Sequence, residues 1–154
     1  MIYIKSDKEI ELMRKPCEIV RDVLCLCEDK IRAGMTTKEL DKIAYDYITS
    51  CGAKPSFLGY GGFPAATCIS IDEQVVHGFP SDRVIEEDQI VSVDVGAFFN
   101  GFHGDAARSL YVGHISPEKK KLIDVTRECF FEGIKGICIG SALGDIGAQV
   151  QEHA

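Results

Sequence analysis

Nowhere among these 154 residues do eighteen apolar residues run together, and the first stretch, MIYIKSDKEIELM, holds neither an apolar run of signal-peptide length nor an Arg-rich amphipathic presequence. The sequence therefore reads as a cytoplasmic protein with no membrane partner. Positive charge is scarce as well: 17 Lys and Arg face 24 Asp and Glu, for a net charge of −7 and a pI near 5.1. Surfaces for nucleic acid or anionic lipid draw their affinity from clustered Lys and Arg, so DNA is not expected as a partner. The one basic run, Lys119 to Lys121, reads as a solvated helix face. Also missing is any C-x-x-C pair: the seven cysteines (Cys17, Cys25, Cys27, Cys51, Cys68, Cys129, Cys138) are odd in number and fall mostly on apolar positions of helical patterns, as small buried thiols do. What remains is an ordinary globular composition, 45% apolar and 27% charged, long enough for one domain with a real core.

Ser6-Asp7-Lys8-Glu9 is a capping-box start, and Ile10, Met13, Cys17, Val20, Leu24, Cys27 and Ile31 then recur at the spacing of one helix face until Ala33-Gly34. Pro16 should kink or split this helix. Thr36-Thr37-Lys38-Glu39 opens a second helix with Leu40, Ile43, Ala44, Tyr47 and Ile48 inward, ended by Cys51-Gly52. Residues 55–66, PSFLGYGGFPAA, have a loop's prolines and glycines but too much aromatic surface for a linker, and are expected to line something. Thr67–Ile71 and Gln74–His77 read as a short hairpin about Asp72-Glu73, with His77 opposite Cys68. A longer hairpin, Ile90 to Phe99 and Phe102 to Val112, turns on Asn100-Gly101. Ser116-Pro117 starts a third helix on the face Leu122, Val125, Cys129, Ile134, and a fourth begins at Ser141. Residues 137–146 can be laid without gaps over residues 31–40, a weak repeat that would start a second copy of the helix-helix-hairpin unit near residue 116 and leave it incomplete at residue 154.

Within the longer hairpin, VSVDVGAFFNGFHGDAARSL carries a carboxylate in the middle of each arm. An unpaired buried carboxylate costs several kcal/mol or takes up a proton, so a strand that keeps one usually gives it a cation. A two-residue turn at Asn100-Gly101 sets Asp94 opposite Ala107 and Asp105 opposite Gly96, which puts all four residues on one face with the carboxylates as diagonal neighbours, roughly 7–8 Å apart at the backbone. From there two carboxylates can bridge a pair of metal ions, and the small Gly96 and Ala107 leave room for ions and substrate. Geometry leaves open an equal alternative, in which the aspartates are exposed or bound by Arg108 or by Ser and Thr hydroxyls. Val91, Val93 and Val95 on the other face would pack on the helices. His77 and His103, taken alone, are more often structural than functional.

The runs Gly59-Tyr60-Gly61-Gly62-Phe63-Pro64, Cys68-Ile69-Ser70-Ile71, Val76-His77-Gly78-Phe79-Pro80, Asp94-Val95-Gly96 and Gly101-Phe102-His103-Gly104-Asp105 together resemble bacterial type I methionine aminopeptidases, in order and along essentially the whole chain. The resemblance implies an α/β (α+β) pita-bread fold of two pseudo-symmetric halves, of which residues 1–154 hold a complete first half and, from about residue 116, a truncated second one. It implies removal of the initiator methionine from nascent polypeptides by hydrolysis at a dinuclear site holding two divalent metal ions, Co, Mn, Fe or Zn, ligated by two aspartates, one histidine and two glutamates. Asp94 and Asp105 match the aspartates. By the same likeness His77 matches the histidine that hydrogen-bonds the scissile peptide, a catalytic and substrate-binding role, and Tyr60, Phe63, Cys68 and Phe57 match the walls of the methionine pocket, where rings and a thiol suit a thioether.

The matching histidine ligand, both glutamates and the general base are not found in this sequence: none of His103, His114, His153, Glu128 or Glu132 takes those positions. This stretch alone is therefore expected to be inactive. The resemblance further implies nascent chains beginning with Met as partners, action near the ribosome, and a monomeric full-length protein. The competing expectation is a non-catalytic peptide- or protein-binding module on the same fold.

Overall fold

The computed structural model describes residues 2–154. Its strands are β1 (Lys54–Pro55), β2 (Thr67–Ile71), β3 (Ile90–Phe99) and β4 (Phe102–Tyr111), and its helices α1 (Asp7–Lys30), α2 (Thr37–Ser50), α3 (Pro117–Lys135) and α4 (Leu143–His153), with a single 3-10 turn at Tyr60–Gly62. They form two compact units, Met1–His114 and Ile115–Ala154.

Local chemistry starts the first two helices. Ser6 and Thr36 accept the backbone N–H of Glu9 and Glu39, whose carboxylates reach back to the cap N–H at 2.8 and 2.7 Å. These reciprocal bonds satisfy donors that a helix start otherwise leaves open. Contrary to expectation, α1 runs unbroken through Pro16. The reason is tertiary: at this turn the helix backbone lies directly on β4, where a Cβ on Gly104 would come within 2.5–2.6 Å of Pro16 and Cys17 backbone atoms. Burial of that turn holds the helix across the N–H that proline cannot supply. The buried stripe of α1 is Pro16, Ile19, Val20, Val23, Leu24 and Cys27, so Ile10 and Cys17 of the expected face stay exposed. In α2, Leu40, Ala44 and Ile48 are buried as read, with Ile43 and Tyr47 packed beside them.

β3 is the middle of the sheet. One edge pairs with β4 along its whole length, and the other pairs with β2 over Val91–Val95 and with β1 at Ala97 and Phe98, all antiparallel. Asn100 and Gly101 both take left-handed φ, +49° and +87°, which is what a type I′ turn demands and what fixes the register. Val91, Val93, Val95 and Ala97 turn one face toward α1 and α2, joining Ile69 and Ile71 of β2 in a fully buried core. The segment that precedes β3 is tied in by backbone bonds to the α1–α2 connection, Ile85 N–H to Met35 and Thr37 N–H to Arg83, at 2.8 and 3.0 Å.

The expected short hairpin does not form. β2 takes β3 as its partner, so Cys68 stands opposite Asp94 and not opposite His77. Residues 74–77 are not a strand: Asp72 and His77 sit in the left-handed region at +51° and +60°, which ends an extended run on either side. The outer edge of β2 is satisfied in another way. Ile71 N–H donates to the Gln74 side-chain Oε1 at 3.1 Å, and Ile69 N–H donates to the Gly78 carbonyl at 2.9 Å, so no second strand is needed to complete it. Val75 and Val76, whose apolar pair suggested a strand, are 87% and 63% exposed.

In the second unit Ser116 caps α3 by accepting from Lys119 N–H, with Pro117 in the first turn and Gly136 at the end. Close approach of α4 is possible because residue 133 is glycine: a Cβ there would meet Val150 Cγ2 at 2.8 Å. Of the expected α3 face Cys129 is buried, whereas Leu122 and Ile134 remain exposed. α4 starts two residues later than read, because the Ser141 hydroxyl closes the preceding turn by accepting from Cys138 N–H, and Asp145 caps the Ala142 N–H at 2.8 Å.

Candidate functional site

The face of the sheet turned away from the helices is built by alternation. β3 contributes Ser92, Asp94, Gly96 and Phe98, β4 contributes Ser109, Ala107, Asp105 and His103 opposite them in that order, and β2 adds Ser70 and Cys68 opposite Ser92 and Asp94. Asp94 and Asp105 are therefore diagonal neighbours across Gly96 and Ala107, in the register read from the turn. Asp94 is half-buried and Asp105 exposed, so only one is withdrawn from water. Burial first, and then the negative charge of Asp105, hold the Asp94 carboxyl above the ordinary range, while His77 and the Val95 N–H pull the other way. His77 shares no hairpin with Asp94; it directly precedes Gly78, whose N–H bonds Ser70 Oγ on this face at 3.1 Å.

The neighbours that could have neutralised the pair are engaged elsewhere. Arg108 lies on the opposite side of β4, bonding Glu28 at 2.6 Å, and Ser92 and Ser109 bond one another at 3.0 Å. Among the described residues no three His, Cys, Asp or Glu side chains gather as a metal-holding group. The two carboxylates nevertheless suit a dication, since the charge of Asp105, which adds to burial in raising Asp94, is what a bound positive ion would offset. Cys68 is buried on the same face, its thiol pushed up to about 11 by burial, with Asp94, Asp105 and Asp41 adding to it. Without metal it stays a neutral thiol at physiological pH.

Around this face stand the aromatics. A Cβ on Gly96 would meet Ser56 Cβ at 2.7 Å and Phe57 Cε1 at 2.8 Å, so the Phe57 ring rests on the bare backbone beside the carboxylates. Phe57 meets Phe63 edge-on with centroids 6.4 Å apart, and Phe63 meets Phe79 at 5.2 Å. The structure thus brings Phe57, Phe63, Cys68, Asp94 and Asp105 to one neighbourhood, with His77 tied to it through the bond of the adjacent Gly78 N–H to Ser70. Tyr60 stands apart, 83% exposed in its 3-10 turn. Phe79 enters the sequence reading only within the run Val76-His77-Gly78-Phe79-Pro80, with no role of its own; an aromatic two residues beyond His77 was the signal available. His103 bonds Ser56 Oγ through Nδ1 at 2.8 Å and stacks on Phe98, a structural contact at the rim.

The chain matches the model of metallopeptidase family M24 over residues 11–154. It is 51% identical to the methionine aminopeptidase of Clostridium acetobutylicum over 154 residues, 99% of this chain and 62% of that protein. Among solved structures, methionine aminopeptidase from Rickettsia prowazekii superposes with a TM-score of 0.97 at 35% identity, and the one from Thermotoga maritima with 0.96 at 41%, each match covering 99% of this chain and 62% of the other. The chain thus spans about three fifths of the length of these relatives, and over that span it has the expected pita-bread α/β architecture. No helix among the described residues is long and apolar enough to cross a membrane. With the sequence match running from the first helix through the carboxylate face to residue 154, this chain belongs to metallopeptidase family M24.

Proposed function

We propose that these residues form the carboxylate half of a methionyl aminopeptidase that removes the initiator methionine from nascent polypeptides in the cytoplasm. Asp94 and Asp105 are the part of the site that would hold two divalent ions, and residues 116–154 begin the second half of the fold. The observation that carries the reading is the strand register, which puts the two aspartates diagonally on one face with small residues between them, Asp94 being raised by burial first and then by the charge of its neighbour. When bound there, divalent ions supply an activated water and polarise the scissile carbonyl.

The chain's own residues do the rest of what this half contributes. His77 donates a hydrogen bond to the peptide at the edge of the carboxylate face. Phe57, Phe63 and the neutral Cys68 thiol receive the thioether, which packs well on ring edges and polarisable sulfur. Tyr60, in solvent here, closes the pocket over a bound methionine.

The test is a titration of residues 1–154 with Mn2+ or Co2+ by calorimetry, alongside hydrolysis of Met-Ala-Ser. Asp94→Asn and Asp105→Asn are each expected to weaken dication binding at least about tenfold, while the parent chain shows no turnover, since the base and the other ligands of the family pattern have no match in it. Metal-dependent turnover that Asp94→Asn abolishes would overturn the inactivity. Binding of the tripeptide without any dication effect would favour the non-catalytic binding module.

A further inference from the structure

Among the described residues the buried polar side chains are few, Thr37, Thr67 and Ser70. Two of them tie elements together: the Thr37 hydroxyl bonds the backbone of Ser81, and the Thr67 hydroxyl bonds Asp41. Ser70 has a different partner. Its Oγ accepts the backbone N–H of Gly78 at 3.1 Å, from a strand position on the same face as Cys68 and Asp94. The Gly78 carbonyl in turn accepts Ile69 N–H at 2.9 Å. Gly78 is thus clamped on the edge of β2 from both sides of its peptide, so closely that a Cβ would lie 2.1 Å from the Ile69 carbonyl oxygen.

The residue before this clamp is His77, held at φ +60° although it is not glycine. A left-handed non-glycine residue carries strain and persists only where its surroundings over-determine it. On the other side, Phe79 packs on Phe63 while remaining 63% exposed, so the loop around His77 has little burial of its own to fix it. The Gly78 bonds are thus the contacts that adjoin the strained His77 backbone.

We propose that Ser70 is a positioning residue for His77: through the Gly78 N–H it keeps His77 in the left-handed conformation and its ring at the carboxylate face. The proposal rests on the reading of His77 as a peptide-binding group. Without the Ser70 acceptor, His77 relaxes to an extended backbone and the ring leaves the site, while β2 keeps its pairing with β3.

The experiment is a 1H–13C correlation spectrum of the metal-free chain labelled at histidine, for the parent and Ser70→Ala. The His77 ring signal is expected to shift or broaden, with His103, His114 and His153 unmoved and the fold retained by circular dichroism. An unmoved His77 signal in folded Ser70→Ala overturns the proposal. Should that variant fail to fold, amide exchange in the parent decides: Gly78 N–H is expected to exchange at least about tenfold more slowly than the N–H groups of Val75 and Val76, and equal rates overturn the clamp. Binding of Met-Ala-Ser separates the two readings. Ser70→Ala is expected to weaken it in the parent background but not in His77→Ala. No tripeptide binding by the parent counts against the role of His77 in function, while the ring signal judges Ser70 by itself.

Discussion

The two faces of β3 are made by alternate residues of one strand, and they answer to different demands. Val91, Val93, Val95 and Ala97 are entirely withdrawn from water against α1 and α2, where each valine contributes burial and nothing else is asked of it. Ser92, Asp94, Gly96 and Phe98, one residue out of phase, face a half-open surface where the smallest side chain is the one that lets an aromatic ring approach. A strand can therefore hold a costly carboxylate because its other face has already fixed its register. A slip of one residue would bury Asp94 and expose three valines, and the core forbids it.

The largest expected effect comes from putting the chemistry of one face on the other. Val93→Asp places an uncompensated carboxylate in the dry core at a cost of several kcal/mol, a large part of the roughly 5–15 kcal/mol that holds a domain together. Cooperative thermal unfolding followed by circular dichroism is expected to be lost. A folded variant with parental midpoint would show that the core face is not what sets the register.

The converse change on the open face, Asp94→Asn, is expected to be mildly stabilising in the metal-free chain, and in a pH-dependent way. Since burial and Asp105 raise the carboxyl in the fold, the folded chain keeps this proton at pH values where the unfolded chain has lost it. Stability from this group is therefore greatest below the unfolded-state value and declines as pH rises through the folded one. The advantage of the Asn variant should open over that rise and vanish in acid. Urea midpoints taken across the acid range with chelator present would check it, and a variant less stable at neutral pH would contradict the electrostatic account.

The smallest effect concerns the cysteines, where exposure and ionisation act together. Cys17, Cys25 and Cys138 are exposed and should react promptly with a thiol reagent at neutral pH. Cys27 is buried, its thiol pushed up to about 12 by burial and then by Asp41, and Cys68 to about 11, so both should lag behind until the chain unfolds. Mass spectrometry of a labelling time course gives the order. Fast labelling of Cys68 in the folded chain would mean that the site face is more open than its packing indicates.

Much of this was legible in the amino-acid order, and unevenly so. Both capping boxes, the Asn100-Gly101 turn and the opposition of Asp94 to Ala107 and Asp105 to Gly96 were readable, because each depends on chemistry within a few residues. Within the loop from Asp72 to Gly78, residues Gln74–His77 were misread as a strand. Its apolar pair Val75-Val76 imitates a strand signal, while the groups that cap the edge of β2 are a glutamine side chain and a glycine carbonyl, which periodicity does not register. The buried stripe of α1 was read only in part, with Val20, Leu24 and Cys27 buried but Ile10 and Cys17 exposed, for a related reason. Apolar residues at three- and four-residue spacing admit overlapping stripes, and contact with the sheet selects among them.

The sequence by itself determined where the first three helices begin, how the long hairpin pairs and which face its carboxylates share, since capping, turn conformation and the period of two are local properties. Only the tertiary structure decided that α1 continues through Pro16, that Cys68 faces Asp94, and that Gly78, next to His77, is held on the edge of β2. The first and last of these depend on backbones meeting at Gly104 and Gly78, positions where the absence of a side chain matters only once a distant segment arrives to use the space.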